Sequence, residues 1–158
     1  MLYIAEPVVV VVATHALPHG ITVDGQTIEV ASLVDILKLG GNVKLLHFSA
    51  CLLMQDPASV AQFRQLAAQT GLAISGYKTS VDWAASAIIE FTFLEMVLGR
   101  GLTPQAAAQQ LPKLLPFSGE RVGASSVFRA ADFTIVLPQD HVAANGRPAT
   151  KPRRKVRR

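Results

Sequence analysis

Cysteine is almost missing from this sequence. Cys51 is the only one in 158 residues, so no intramolecular disulfide can form and a cytoplasmic location is the default expectation. Charge is scarce too. At 16% charged and 50% hydrophobic residues, the composition excludes disorder in the main body and predicts a packed core. No apolar run reaches the length of a membrane span, because residues 7–13 are too few and residues 84–98 are broken by Thr and Glu. The start MLYIAEP lacks the basic region and long apolar core of a secretion signal. There is no GxGxxG or GxxxxGK[ST] loop to cradle a phosphate, which argues against nucleotide enzymes. The four histidines are not at ligand spacing with carboxylates, so neither a metal nor another cofactor is expected.

What the chain has in excess is positive charge at one end. Seven of its fifteen basic residues fall in RPATKPRRKVRR, residues 147–158, leaving eight basic against eleven acidic residues and a net charge of −3 in residues 1–146. The length suits one domain, placed at 1–146, followed by a proline-interrupted basic tail that cannot bury enough surface to fold and is expected to be disordered. Such a tail can touch nucleic acid by a salt-sensitive phosphate attraction, although a solvated terminus without a specific partner is the simpler expectation. His141, beside it, is read as solvated.

Between these limits the hydrophobic periods alternate. Val8 to Ala13 is an unbroken β-branched run, as expected for a strand buried on both faces of a parallel sheet. Residues 21–30, ITVDGQTIEV, place Asp24-Gly25 between two alternating segments and predict a hairpin. Ser32 should cap a short helix to Leu39, and residues 43–48 form a second buried strand. Asp56-Pro57 opens a helix to about Thr70, residues 72–76 form a third strand, and residues 82–98 form a longer helix. Thr103-Pro104 starts another helix, to be stopped by Pro112 or Pro116, and residues 132–137 read as a last strand. This order predicts an α/β layered domain with a mostly parallel sheet.

In such a sheet the ligand site lies beyond the carboxyl ends of the strands. Three segments follow those ends: 14–20 with His15 and His19, 49–54 with Cys51, and 77–83 with Asp82 and Trp83. A cysteine attacks a carbonyl as thiolate and needs a neighbouring base, and adjacent strands end about 5 Å apart, close enough for their loops to bring an imidazole to the thiol. Backbone N–H groups beside both residues could hold the developing oxyanion. His47, four residues before Cys51 within the strand, points into the sheet layer and reads as packed. A lone cysteine at a strand end is most often a buried small hydrophobe, and that reading of Cys51 stays open.

VVVVVATHA followed by VKLLHFSAC resembles the His block and Cys block of the caspase-like (clan CD) cysteine peptidases, which include caspases, metacaspases, separases and bacterial CHAT-type proteins. The likeness continues through ISGYKTSVDWAASAIIEFTFLEMVL, so that residues 7–98 are covered. The resemblance implies a caspase-like three-layer sandwich and a cysteine endopeptidase acting on a protein or peptide substrate. It makes Cys51 the nucleophile, His15 the general base with His19 as the alternative, and the N–H groups of Ala16 and Cys51 the oxyanion donors. His19 keeps the family's His-Gly pair with Gly20, whereas Ala16 stands after His15 where the family usually has glycine. Asp82 matches a position near the specificity pocket and would receive a Lys or Arg side chain, with Trp83 as a wall. Read from the residues alone, Asp82 equally suits a helix cap and Trp83 a buried helix face. Members of the family place two further strands before the His strand. Here an upstream segment or a partner chain is expected to complete the sheet. The rival expectation is a degenerate caspase-like domain that binds a partner without catalysis.

Overall fold

The structure, a computed structural model, describes residues 8–38, 42–115 and 132–139. The front residues 1–7, Pro116, His141 and the basic tail lie outside the described residues. The main sheet has the order β1-β5-β6-β7, formed by β1 (Val8–Ala13), β5 (Val43–Ser49), β6 (Ala73–Tyr77) and β7 (Phe133–Val136). β1, β5 and β6 run parallel and β7 pairs antiparallel to β6. A second sheet, β2 (His15–Leu17), β3 (Gly20–Val23) and β4 (Gln26–Glu29), is an antiparallel meander inserted directly after β1.

Alternation along the main strands sends side chains to two different cores. Leu46, Phe48 and Ile74 pack against α1 (Val30–Leu37) and α2 (Pro57–Thr70), around Leu33, Phe63 and Leu66. Leu45, Ala73 and Tyr77 face the opposite way, onto Ile89 and Phe93 of α3 (Trp83–Leu94) and Leu111 of α4 (Pro104–Leu114). Helices therefore cover both faces of the sheet, the arrangement in which parallel strands are stable. Among the described residues no helix is long and apolar enough to cross a membrane.

The local signals act largely as their chemistry requires. Asp56 accepts from the Ser59 N–H at 2.8 Å to cap α2, and Gly71, at φ +75°, ends it in the left-handed conformation open to glycine. The Asp24-Gly25 turn has both residues at positive φ, the geometry favoured between tightly joined strands. Three expectations are corrected and one is narrowed. α1 starts at Val30 rather than after Ser32, because the Val30 N–H bonds the His19 carbonyl and ties the helix to the hairpin. The long helix changes at Glu95 into a π-helical turn, Glu95–Gly99. Of the two prolines expected to stop α4, Pro112 sits inside its last turn, where only one hydrogen bond is forfeited, and the helix ends at Leu114, two residues before Pro116. β1 is not buried on both faces: among the described residues it pairs only with β5, and Val11 is 44% exposed.

Candidate functional site

A cavity of about 320 Å³ opens at the carboxyl ends of the parallel strands. Ala13, Thr14 and His15 border it from the end of β1, and Ser49, Ala50 and Cys51 from the end of β5. Tyr77, Val81, Trp83 and Ser86 complete it from β6 and the start of α3. The three segments singled out in the sequence thus meet at one place, because parallel strands in register deliver their following loops to the same edge of the sheet.

His15 and Cys51 both border this cavity. Cys51 is partly exposed, and its sulfur accepts a hydrogen bond from the Val81 N–H at 3.3 Å. The chain then turns sharply. Leu52 adopts φ +64°, an uncommon conformation for a residue with a side chain, and its N–H bonds the Thr79 carbonyl at 3.2 Å. That bond and the one from the Met54 N–H to the Tyr77 carbonyl fasten the loop after Cys51 to the loop after β6.

His15 is carried by the small sheet, opposite Thr22. Thr14 joins the two sheets: its N–H reaches the Ser49 carbonyl at 3.4 Å and its hydroxyl donates to the Thr22 carbonyl at 2.6 Å. Gly20 closes the β2–β3 turn opposite Leu17, and a Cβ there would strike the Ile28 carbonyl. In an antiparallel ladder closed by a two-residue turn, the closing pair Leu17–Gly20 exchanges hydrogen bonds and the next pair, Ala16–Ile21, does not. The Ala16 N–H therefore turns away from β3.

The remaining candidates are distributed differently. His19 lies at the hairpin turn, 4.0 Å from Glu29, and does not border the cavity. Asp82 is exposed and also outside the cavity wall. Its carboxylate accepts from the Ala84 and Ala85 N–H groups at 3.0 and 3.1 Å, which is the capping role. Trp83 borders the cavity while 88% exposed, so it is a rim residue rather than core. Ile89 and Phe93 form the buried face of α3 instead.

Sequence reasoning missed a polar cluster behind the cavity wall. His47, fully buried as expected, is packed among the rings of Tyr77, Phe93 and Phe133 and shares a 2.9 Å hydrogen bond between Nδ1 and Ser75 Oγ. Its Nε2 lies 3.4 Å from Glu90 Oε1, near enough for electrostatic contact, yet without a hydrogen bond. The same Glu90 oxygen accepts from Ser49 Oγ at 2.9 Å and from the Tyr77 hydroxyl at 3.0 Å. Burial pushes the Glu90 carboxyl up, but contacts with His47, Ser49 and Tyr77 outweigh it and hold the group below its usual range. Tyr77 is shifted strongly upward, first by burial and then by the Glu90 charge, so it stays a proton donor. The available signal was Glu90 itself, the one charged residue of α3, on the face that also carries Phe93. Among the described residues no cluster of His, Cys, Asp and Glu could hold a metal ion.

A scan against models of protein families finds no match for this sequence, and a search of curated proteins finds none either.

Proposed function

We propose that the domain is a caspase-like cysteine peptidase in which Cys51 attacks a peptide carbonyl and His15 handles the proton. The observation that carries this reading is that Cys51 and His15, from the ends of neighbouring parallel strands, border one cavity. The three-layer arrangement with a mostly parallel sheet agrees with that reading.

In the proposed reaction the Cys51 thiol gives its proton to the His15 imidazole and its sulfur bonds to the carbonyl carbon. The tetrahedral intermediate places its negative oxygen toward the Cys51 and Ala16 N–H groups, the latter unspent by β3. Collapse breaks the C–N bond, and the leaving amine takes the proton from His15. Water, deprotonated by His15, then attacks the thioester carbonyl and expels the Cys51 thiolate, which recovers the proton. The fold supports the geometry in two ways: the Val81 N–H holds the sulfur in place, and the Thr14 bonds tie the hairpin carrying His15 to β5.

The second reading, a domain that kept this fold for binding alone, is favoured by Ala16. Ala16 stands where the resembled family has glycine, and it packs against the core around Phe48 and Phe63 without bordering the cavity. β1, paired on one side among the described residues, would then accept an added strand from an upstream segment or a partner. The deciding experiment is cleavage of a fluorogenic peptide library by wild type, Cys51→Ala and His15→Ala. The peptidase reading expects cleavage by wild type, lost in both variants. A folded wild-type protein that cleaves nothing, or cleavage that survives Cys51→Ala, refutes it.

A further inference from the structure

The cavity wall has a polarity that follows from proton counting. Ser49 and Tyr77 both border the cavity, and each hydroxyl carries one proton. An ionised carboxylate can only accept, so both protons are committed to Glu90 Oε1, with the Ser86 carbonyl, 3.4 Å from the Tyr77 oxygen, as a second acceptor for the Tyr77 proton. What these hydroxyls still offer is lone pairs. None of the residues bordering the cavity is Lys or Arg, and a negative charge stands directly behind two of them.

We propose that Glu90 sets the selectivity of this cavity: by taking the protons of Ser49 and Tyr77 it leaves acceptors in front of a partly buried negative charge, which admit a cationic, hydrogen-bond-donating side chain and turn away a carboxylate. Glu90 is a positioning residue here, since it acts through the two hydroxyls and its field. It takes over the role that the family resemblance implied for Asp82, whose carboxylate is spent on the α3 cap. His47 does not border the cavity and is connected to it through Glu90 and through the ring of Tyr77. As a statement about substrate the inference rests on the peptidase reading, but the wall's polarity is measurable without it.

Cys51, the only cysteine, reports from inside the cavity. A methanethiosulfonate reagent is attacked at its sulfenyl sulfur by the Cys51 thiolate, forming a mixed disulfide and releasing methanesulfinate. Rates are measured with the cationic 2-aminoethyl and the anionic 2-sulfonatoethyl reagents, each divided by its rate with a free small thiol. The expected cation-over-anion preference in wild type is about tenfold, falling severalfold in Glu90→Gln and by a smaller factor in Ser49→Ala, which removes one acceptor and no charge. Asp35→Asn, a surface carboxylate paired with Lys38, controls for overall charge and should leave the preference unchanged. A wild-type ratio equal to that of the free thiol overturns the proposal, as does a folded Glu90→Gln protein that keeps the wild-type ratio. If Glu90→Gln fails to fold, Ser49→Ala decides in the same way, an unchanged ratio being the overturning result. Selective labelling without peptide cleavage by wild type would refute the peptidase reading and leave this inference standing. Cleavage without selectivity would do the reverse.

Discussion

Removing Glu90 should be costly to the fold, and the cost can be built from its partners. Glu90→Ala strips the acceptor from two hydroxyls at 2.9 and 3.0 Å. Hydrogen bonds to a charged group contribute roughly 1.5–3 kcal/mol each. Part of that is recovered, because Tyr77 keeps the Ser86 carbonyl and Ser49 borders a cavity that water can enter. The expected loss is about 3 kcal/mol for Glu90→Ala and about 1 kcal/mol for Glu90→Gln, which keeps an acceptor oxygen and loses the charge. The pH dependence has a fixed sign. The folded-state pKa of Glu90 lies below its ordinary value of 4.5, so below that value the unfolded chain binds more protons than the folded one. The stabilisation is complete above about pH 4.5 and is lost as pH falls through the depressed folded value. Asp56, depressed chiefly by the Ser59 N–H, acts in the same direction, but it is common to wild type and variant and cancels in their difference. Urea unfolding of wild type, Glu90→Ala and Glu90→Gln between pH 7 and pH 3 measures all of this. A cost under about 0.5 kcal/mol for Glu90→Ala, or a wild-type to Glu90→Gln gap that does not narrow in acid, refutes the reasoning.

Two further substitutions separate roles that the sequence left joined. Asp82→Ala removes a cap with two hydrogen bonds and should cost about 1 kcal/mol in thermal or urea unfolding, while leaving the cavity's preference between cationic and anionic reagents unchanged. A changed preference would return Asp82 to the pocket. Gly20→Ala forces a methyl against the Ile28 carbonyl, so β3 and β4 must part. The expected result is about 2 kcal/mol of lost stability and faster amide exchange in residues 15–29, with β5 as protected as before. Equal acceleration in both sheets would show that the hairpin has no stability of its own.

How much of this was legible in the sequence depended on how local the signal was. Val8 to Ala13, Asp24-Gly25 and Asp56-Pro57 act through their immediate neighbours, and each element they mark is present. The site followed from them without long-range information, because strand ends in a parallel sheet converge by construction; hence His15 and Cys51 at one cavity. Glu90 was illegible for the opposite reason. Its partner Ser49 is 41 residues away, and the His47–Ser75 bond spans 28. No periodicity encodes such pairs, and His47, four residues before Cys51, reads in the sequence only as a packed residue. Asp82 shows a third case, in which one short motif, an acid before a helix, fits two functions equally well until the directions of its oxygens are known.

Under the peptidase reading, Thr14 has a consequence for how activity would be lost on warming. The thiol belongs to the main sheet and the imidazole to the hairpin, and one threonine links the two through a backbone bond of 3.4 Å and a hydroxyl bond of 2.6 Å. The hairpin is anchored elsewhere as well, by Ile21 in the core around Phe48 and Phe63 and by the bond from the Val30 N–H to the His19 carbonyl, whereas the core around Phe93 and Phe133 contains none of its residues. Breaking the Thr14 bonds would therefore let the thiol and the imidazole part before either core opens. Heat inactivation should then begin below the melting temperature and reverse on cooling, and ligands that bridge His15 and Cys51 should raise the first temperature more than the second.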